Sequence, residues 1–199
     1  MDSWIVPALV LLGGYLLGSV PFGILVAKAG GTADPRTIGS GNIGATNVLR
    51  SGRKDLAAAT LLLDAGKWAA AVLIANAIAP GLGALAAVGA FFGHLFPIWL
   101  RFIGGKGVAT LLGIVLALDW RVGLVVVAVW LAATLVTRIS SVGGMSAAIA
   151  APVAASFDFR ADLALIFLAF ALMILWRHRQ NLVRLLQGTE QRIGQKDPG

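Results

Sequence analysis

The chain has no cysteine in its 199 residues and only two histidines, His94 and His178. The first absence excludes a disulfide framework, a thiolate nucleophile and a cysteine-ligated metal centre. The second leaves too few imidazoles for a histidine-based metal site, so neither metal nor cofactor is expected. Charge is scarce too: Asp, Glu, Lys and Arg make up 13% of the chain against 58% hydrophobic residues, and the mean hydropathy is +0.87. That balance excludes a soluble domain of ordinary composition. Acidic residues are the scarcer charged kind, 9 against 16 Lys and Arg, for a formal charge of +7. One basic stripe would suit nucleic acid, but these cations fall in the gaps between apolar runs. The expected surroundings are therefore a lipid bilayer, with no nucleic-acid partner.

What the chain does have is apolar runs over residues 4–27, 56–78, 82–100, 107–118, 122–137, 140–157 and 161–176. They predict an all-α integral membrane protein with seven transmembrane helices, a single polytopic domain over 1–199. Several runs fall short of the roughly 20 residues that a straight span needs, so some helices are expected to be short or re-entrant, that at 107–118 above all. The first run follows a single charge, Asp2, and is too long for a cleaved signal, which makes it an anchor. Lys28, Arg36, Arg50, Arg53 and Lys54 follow the first run, Arg101 and Lys106 the third, Arg138 the fifth, and Arg177, Arg179, Arg184, Arg192 and Lys196 the seventh. Only Arg121 and Arg160 fall on the opposite side. The positive-inside bias thus predicts an outside N-terminus and a cytoplasmic C-terminal segment over 177–199. Gly14 with Gly18, and Gly89 with Gly93, are small-xxx-small pairs suited to close helix packing. Asp64 and Lys67 share one helical face and are expected to neutralise each other as a structural pair. No internal repeat points to an inverted-repeat transporter.

Two glycine-rich stretches interrupt the hydrocarbon, and bare polar backbone beside a membrane is tolerated only where it lines a cavity or a ligand site. In the first, Gly39-Ser40-Gly41-Asn42-Ile43-Gly44 matches G-x-G-x-x-G but lacks the strand and βαβ unit of a dinucleotide fold. Its local physics suits an anion: glycines let backbone N–H groups converge, and Ser40, Asn42, Thr46 and Asn47 add side-chain donors. Arg50 adds a fork matched to phosphate. A glycine turn capped by polar residues competes for any one of these positions. The second stretch, Gly104-Gly105-Lys106-Gly107, lacks the hydroxyl residue that follows the lysine in a nucleotide P-loop. Lys106 can still offer its ammonium to a phosphate, or serve only as a positive-inside anchor. A third polar cluster, Arg177-His178-Arg179-Gln180-Asn181, follows the last run, with Arg184 and Glu190 beyond it. His178 suits either acid–base work or neutral hydrogen bonding. Ser140 and Ser141 by themselves read as a helix N-cap.

These residues resemble the bacterial integral-membrane acyl-phosphate:glycerol-3-phosphate acyltransferase family. The likeness runs from Gly18-Ser19-Val20-Pro21-Phe22-Gly23 through the first glycine loop to Arg50, through Gly93-His94-Leu95-Phe96-Pro97 and Gly104-Gly105-Lys106-Gly107-Val108-Ala109-Thr110, to His178-Arg179-Gln180-Asn181 and Gly188-Thr189-Glu190. It implies seven helices, three cytoplasmic motifs, and acyl transfer from acyl phosphate to glycerol 3-phosphate in the bacterial inner membrane. The enzyme that makes acyl phosphate is the implied partner. Carried over by position, Ser40, Arg50, Lys106, Ser141, His178 and Asn181 are the implied catalytic residues. Gly104, Gly105 and Gly107 would bind phosphate and Glu190 would be structural, while the local reading above adds Gly39, Gly41, Asn42, Gly44, Thr46 and Asn47 as phosphate binders and Asp64 and Lys67 as a structural pair. Gln180, Gly144 and Trp68 depart from the family's usual residues. The His-x-x-x-x-Asp pair of other acyltransferases is absent, since Trp99 and Val183 stand five residues after the two histidines. An acyl phosphate is already activated, so direct attack needs only two held phosphates, an aligned hydroxyl and stabilised charge, with no acyl-enzyme.

Overall fold

The computed structural model describes residues 4–195, so the charges Asp2 and Lys196 lie outside the described residues. The described residues are helical, with no strand among them. They divide into two compact units, one ending at Leu118 and the other beginning at Asp119.

In the first unit, the leading apolar run forms α1 (Ile5–Gly18) and α2 (Phe22–Ala29), broken at Ser19-Val20-Pro21 where proline cannot continue a helix. A short α3 (Ala45–Leu49) follows the first glycine loop. Then come α4 (Lys54–Ile78), α5 (Gly83–Leu95) and α6 (Val108–Leu118). α4 is the spine of this unit, packing against each of the other five helices. α1 lies along α5 through the two small-xxx-small pairs read from the sequence. Gly14 and Gly18 face the Ala86 and Ala90 carbonyls, and Gly89 and Gly93 face those of Leu11 and Tyr15. A Cβ at Gly93 would overlap the Tyr15 carbonyl oxygen, which belongs to rigid helix backbone. Gly93→Val is accordingly expected to destabilise by about 1–3 kcal/mol or more through overpacking. A lowered thermal midpoint in detergent would show it; an unchanged midpoint would mean the helices can separate at no cost.

The second unit is α7 (Trp120–Thr137), α8 (Ser140–Phe157), α9 (Ala161–Arg177) and α10 (Arg179–Leu186), with α8 packed between α7 and α9. Asp119 caps α7, its carboxylate accepting from the Arg121 and Val122 amides, and so the helix starts two residues before the apolar run does.

Among the described residues, five helical segments are long and apolar enough to cross a bilayer: Ile5–Ala29, Lys54–Ile78, Gly83–Leu100, Trp120–Thr137 and Ser140–Phe157. A sixth forms if α9 and α10, bent by 58° at His178, count together. α6 has 11 residues, about 16 Å of helix against a hydrocarbon core of about 30 Å, and fits the expected short or re-entrant element.

Candidate active site

The first glycine loop is folded around one side chain. Asn47 is 2% exposed, and its amide nitrogen donates to the Pro35 and Ile38 carbonyls while its Oδ1 accepts from the Ser40 amide at 3.1 Å. Gly39 and Gly41 hold φ of 49° and 68°, the left-handed region that side chains rarely adopt, and this lets the chain double back over Asn47. The loop uses up much of its own backbone. The Gly41 amide donates to the Ile38 carbonyl, and the Gly44 amide to Asn42 Oδ1 at 2.9 Å. This corrects two expectations. Asn47 holds the loop together instead of offering donors outward, and the amides of Ser40, Gly41 and Gly44 are already engaged. Three polar side chains remain exposed: Ser40, Thr46 and Arg50. Arg50 lies against Gly39, where a Cβ would overlap its Nη1, and it joins none of the ion pairs among the described residues. A guanidinium without a carboxylate keeps its fork for an incoming anion.

The second loop is tied to the end of α5. The Gly104 amide donates to the Leu95 carbonyl and the Gly105 amide to that of His94, both at 3.1 Å. Gly105 lies against the His94 ring, with no room for a Cβ beside Nε2. Close approach therefore explains these glycines, and their two amides serve the fold. Lys106 follows at intermediate exposure, with Gly107 leading into α6.

Both loops are anchored on α4. The Ile43 carbonyl presses on Gly23 of α2, beside the buried Thr60 of α4. Two turns on, ~12 Å along the axis, Trp68 meets the His94 ring edge-on with centroids 5.2 Å apart. Between these anchors sits the Asp64–Lys67 pair at 2.6 Å, its side chains 4% and 3% exposed. The ammonium also donates to the Val20 carbonyl at the α1–α2 break and lies 4.2 Å from the Trp68 ring centroid. The ion pair expected from the sequence is present. The edge-to-face contact of Trp68 with His94 was not expected, since the two residues share no motif.

In the second unit, Ser141, Asn181 and Arg184 converge on Glu190. Ser141 Oγ donates to Oε1 at 2.7 Å, Asn181 Nδ2 donates to the same oxygen, and Arg184 Nε donates to Oε2 at 2.6 Å. Ser141 is thus a tie to the C-terminal segment and not the cap that Ser140-Ser141 suggested, since α8 starts after Ile139 with no side-chain cap. His178 sits at the α9–α10 bend, 3% exposed, with Nδ1 2.8 Å from the Ile174 carbonyl. A carbonyl only accepts, so in the neutral ring the hydrogen is on Nδ1. Burial pushes the Glu190 carboxyl up, but the bonds from Ser141, Asn181 and Arg184 outweigh it and hold the pKa below its ordinary 4.5. A carboxylate with a depressed folded pKa stabilises the fold above its unfolded value, and that contribution is lost as pH falls through the folded one. Glu190→Gln should therefore melt below the unsubstituted protein at pH 7, and the gap should close as pH drops beneath about 4.5. Thermal midpoints between pH 7 and 3.5 test this; a gap independent of pH would remove the carboxylate from the account.

Ser40, Arg50 and Lys106, with the glycines around them, belong to the first unit, and Ser141, His178, Asn181 and Glu190 to the second. Residues 8–188 match the family model described as glycerol-3-phosphate acyltransferase. A glycerol-3-phosphate acyltransferase of Mesorhizobium japonicum is 53% identical over 188 residues, covering 94% of this chain and 96% of the relative. One from Caulobacter vibrioides is 52% identical over 200 residues, covering 98% and 92%. Among solved structures, PlsY (YgiH), an integral membrane glycerol 3-phosphate acyltransferase, superimposes in its glycerol 3-phosphate form with a TM-score of 0.88 at 35% identity, covering 94% of this chain and 96% of that one. Its lysophosphatidic acid form gives 0.86 at 34% identity, covering 94% and 95%. An all-helical chain of apolar spans that carries these motifs over nearly its whole length belongs to the integral-membrane glycerol-3-phosphate acyltransferase family.

Proposed function

We propose that the protein transfers a fatty acyl group from acyl phosphate to the sn-1 hydroxyl of glycerol 3-phosphate. Lysophosphatidate and inorganic phosphate are the products, in the first step of phospholipid synthesis. The observation that carries this reading is the close fit to a protein crystallised in both a glycerol 3-phosphate form and a lysophosphatidic acid form, the acceptor and the product of one transfer. The donor is the one that the family resemblance implies, and the chemistry of the chain suits it. The described side chains offer no cysteine for an acyl-enzyme, and the chain has no His-x-x-x-x-Asp pair to activate a hydroxyl against a thioester, whereas an acyl phosphate is a mixed anhydride with a good leaving group.

The hydroxyl oxygen bonds to the acyl carbonyl carbon, the carbon–oxygen bond to phosphate breaks, and phosphate leaves with the electron pair. The hydroxyl proton passes to a phosphate oxygen of the substrates, whose second pKa is about 6. Ser40, Thr46 and Arg50 on the first loop and Lys106 on the second hold the two phosphates and stabilise the charge that develops between them. Gly39, Gly41, Asn42, Gly44 and Asn47 give the first loop its form, and Gly104, Gly105 and Gly107 do the same for the second. Ser141, His178 and Asn181 orient substrate, with Glu190 holding two of them in register. His178→Gln should keep appreciable activity and an unchanged pH–rate profile, because the substrate accepts the proton. Loss of one limb of that profile would make the histidine the base.

The protein works in the bacterial inner membrane with seven spans, an outside N-terminus and the site on the cytoplasmic side. The second unit's charges support this orientation. Arg121 and Arg160 at one end of its helices are offset by Asp158 and Asp119, whereas Arg138, Arg177 and Arg179 gather at the other. The partner is the enzyme that forms acyl phosphate on that same face. Purified protein in phospholipid vesicles, given palmitoyl phosphate and labelled glycerol 3-phosphate, should yield labelled lysophosphatidate and one phosphate per acyl group. Equal turnover with palmitoyl-CoA would overturn the donor assignment, and flux of glycerol 3-phosphate without acylation would overturn the reaction.

A further inference from the structure

Between α5 and the second glycine loop lies a stretch, residues 98–103, that the catalytic reading does not use. Ile98, Trp99, Phe102 and Ile103 are exposed, Ile103 at 72%. Arg101 and Phe102 are consecutive non-glycine residues in the left-handed region, with φ of 52° and 63°, a costly conformation that persists only where surroundings hold it. Here they do. Trp99 Nε1 donates to Ser19 Oγ at 2.6 Å, which ties the stretch to the α1–α2 break. Every backbone amide from Leu100 to Gly105 donates to a carbonyl: Leu100 and Phe102 to Pro97, Arg101 to Ile98, Ile103 to Leu100, Gly104 to Leu95 and Gly105 to His94.

That last property separates this stretch from an ordinary surface loop. Irregular backbone is normally barred from lipid because its amides go unpaired, and here none of the six does. Aromatic and aliphatic side chains are turned outward beside Arg101, which is exposed and joins none of the ion pairs among the described residues. Aromatic rings with an arginine at the end of an apolar span are the composition of a membrane–water interface. The span Gly83–Leu100 runs directly into the stretch, and Lys106 lies three residues beyond it.

We propose that residues 98–103 form an interfacial foot. Trp99, Phe102 and Ile103 seat among the upper acyl chains, Arg101 meets lipid phosphates, and the foot sets the depth at which Lys106 receives a donor phosphate arriving from the membrane. The second half of this proposal rests on the acyl-phosphate reading; the first does not. Two measurements keep them apart. The chain has no cysteine, so an Ile103→Cys protein in phosphatidylethanolamine–phosphatidylglycerol vesicles can carry a single bimane label. Quenching by lipids brominated high on the acyl chain, with protection from aqueous iodide, is expected. Quenching by iodide alone overturns the lipid seat, whatever the enzyme's donor. In the same vesicles, the double variant Phe102→Ser with Ile103→Ser should raise KM about ten-fold for membrane-dissolved palmitoyl phosphate and leave kcat/KM for water-soluble butyryl phosphate within about two-fold. Equal loss with both donors, or no loss with either, would reduce the foot to a structural loop.

Discussion

Lys67→Met is expected to cost about 3–5 kcal/mol, because it strands a carboxylate inside the first unit. Asp64 is 4% exposed on its side chain, and Lys67 is the cation 2.6 Å from it. A methionine has nearly the length to fill the lysine's path past the Phe22 and Trp68 rings, so little of the loss comes from packing. The damage is electrostatic, and a second substitution reverses it. Asp64→Leu with Lys67→Met removes both charges at once, and replacing a buried pair with apolar groups of similar volume is often neutral or stabilising. The single variant should melt about 6–20 °C lower in detergent, and the double variant should recover most of that. A double variant as unstable as the single would mean that Lys67 acts mainly through the Val20 carbonyl at the α1–α2 break.

The same pair stabilises more than its own surroundings. α4 carries the first loop through Thr60, Gly23 and Ile43, and the second through Trp68, His94 and Gly105. The Asp64–Lys67 pair lies between those two anchors. If the pair is structural, the stable double variant keeps kcat/KM within a few-fold; a stable but inactive one would place Lys67 in the chemistry.

What the sequence made legible was whatever one physical rule decides locally. The apolar runs correspond to helices because hydrocarbon forces the backbone to pair with itself, leaving the helix as the available answer for each run. The glycine pairs at 14 and 18 and at 89 and 93 announced their helix contact because spacing alone puts both on one face. The break at Ser19-Val20-Pro21 carried a signal, Pro21, that a count of apolar residues passes over. Asn47 and Ser141 were different. From local pattern, Asn47 was a side-chain donor free to face an anion, and Ser141 was half of a helix N-cap. In the fold, Asn47 reaches back 12 residues to the Pro35 carbonyl and Ser141 forward 49 residues to Glu190. Such partners are set by tertiary placement, to which local pattern is blind. The Trp68–His94 edge contact escaped for the same reason, since an indole and an imidazole 26 residues apart make no motif.

Arg50→Ala is expected to lower kcat/KM by about 10²–10³-fold, the usual loss when one preorganised donor to developing charge is removed. The guanidinium closes the first loop at α3's C-terminal end, exposed and free of any carboxylate among the ion pairs of the described residues, so a phosphate finds its fork uncommitted. Arg50→Lys should recover only part of the loss, because an ammonium supplies the charge but not the planar fork. Gly39→Ala offers a separate route to the same result. A Cβ there, on a backbone at φ 49°, would overlap Arg50 Nη1 and crowd Asn47 Oδ1 at 2.6 Å. It leaves every charge in the sequence untouched and moves only the arginine and the asparagine that shapes the loop. If Arg50 works through position as well as charge, Gly39→Ala loses activity comparably to Arg50→Ala, and combining the two adds little, since both remove one interaction. Fully multiplied losses in the double variant would show that Gly39 and Arg50 serve different steps. An active Gly39→Ala protein would show that the guanidinium needs no fixed seat.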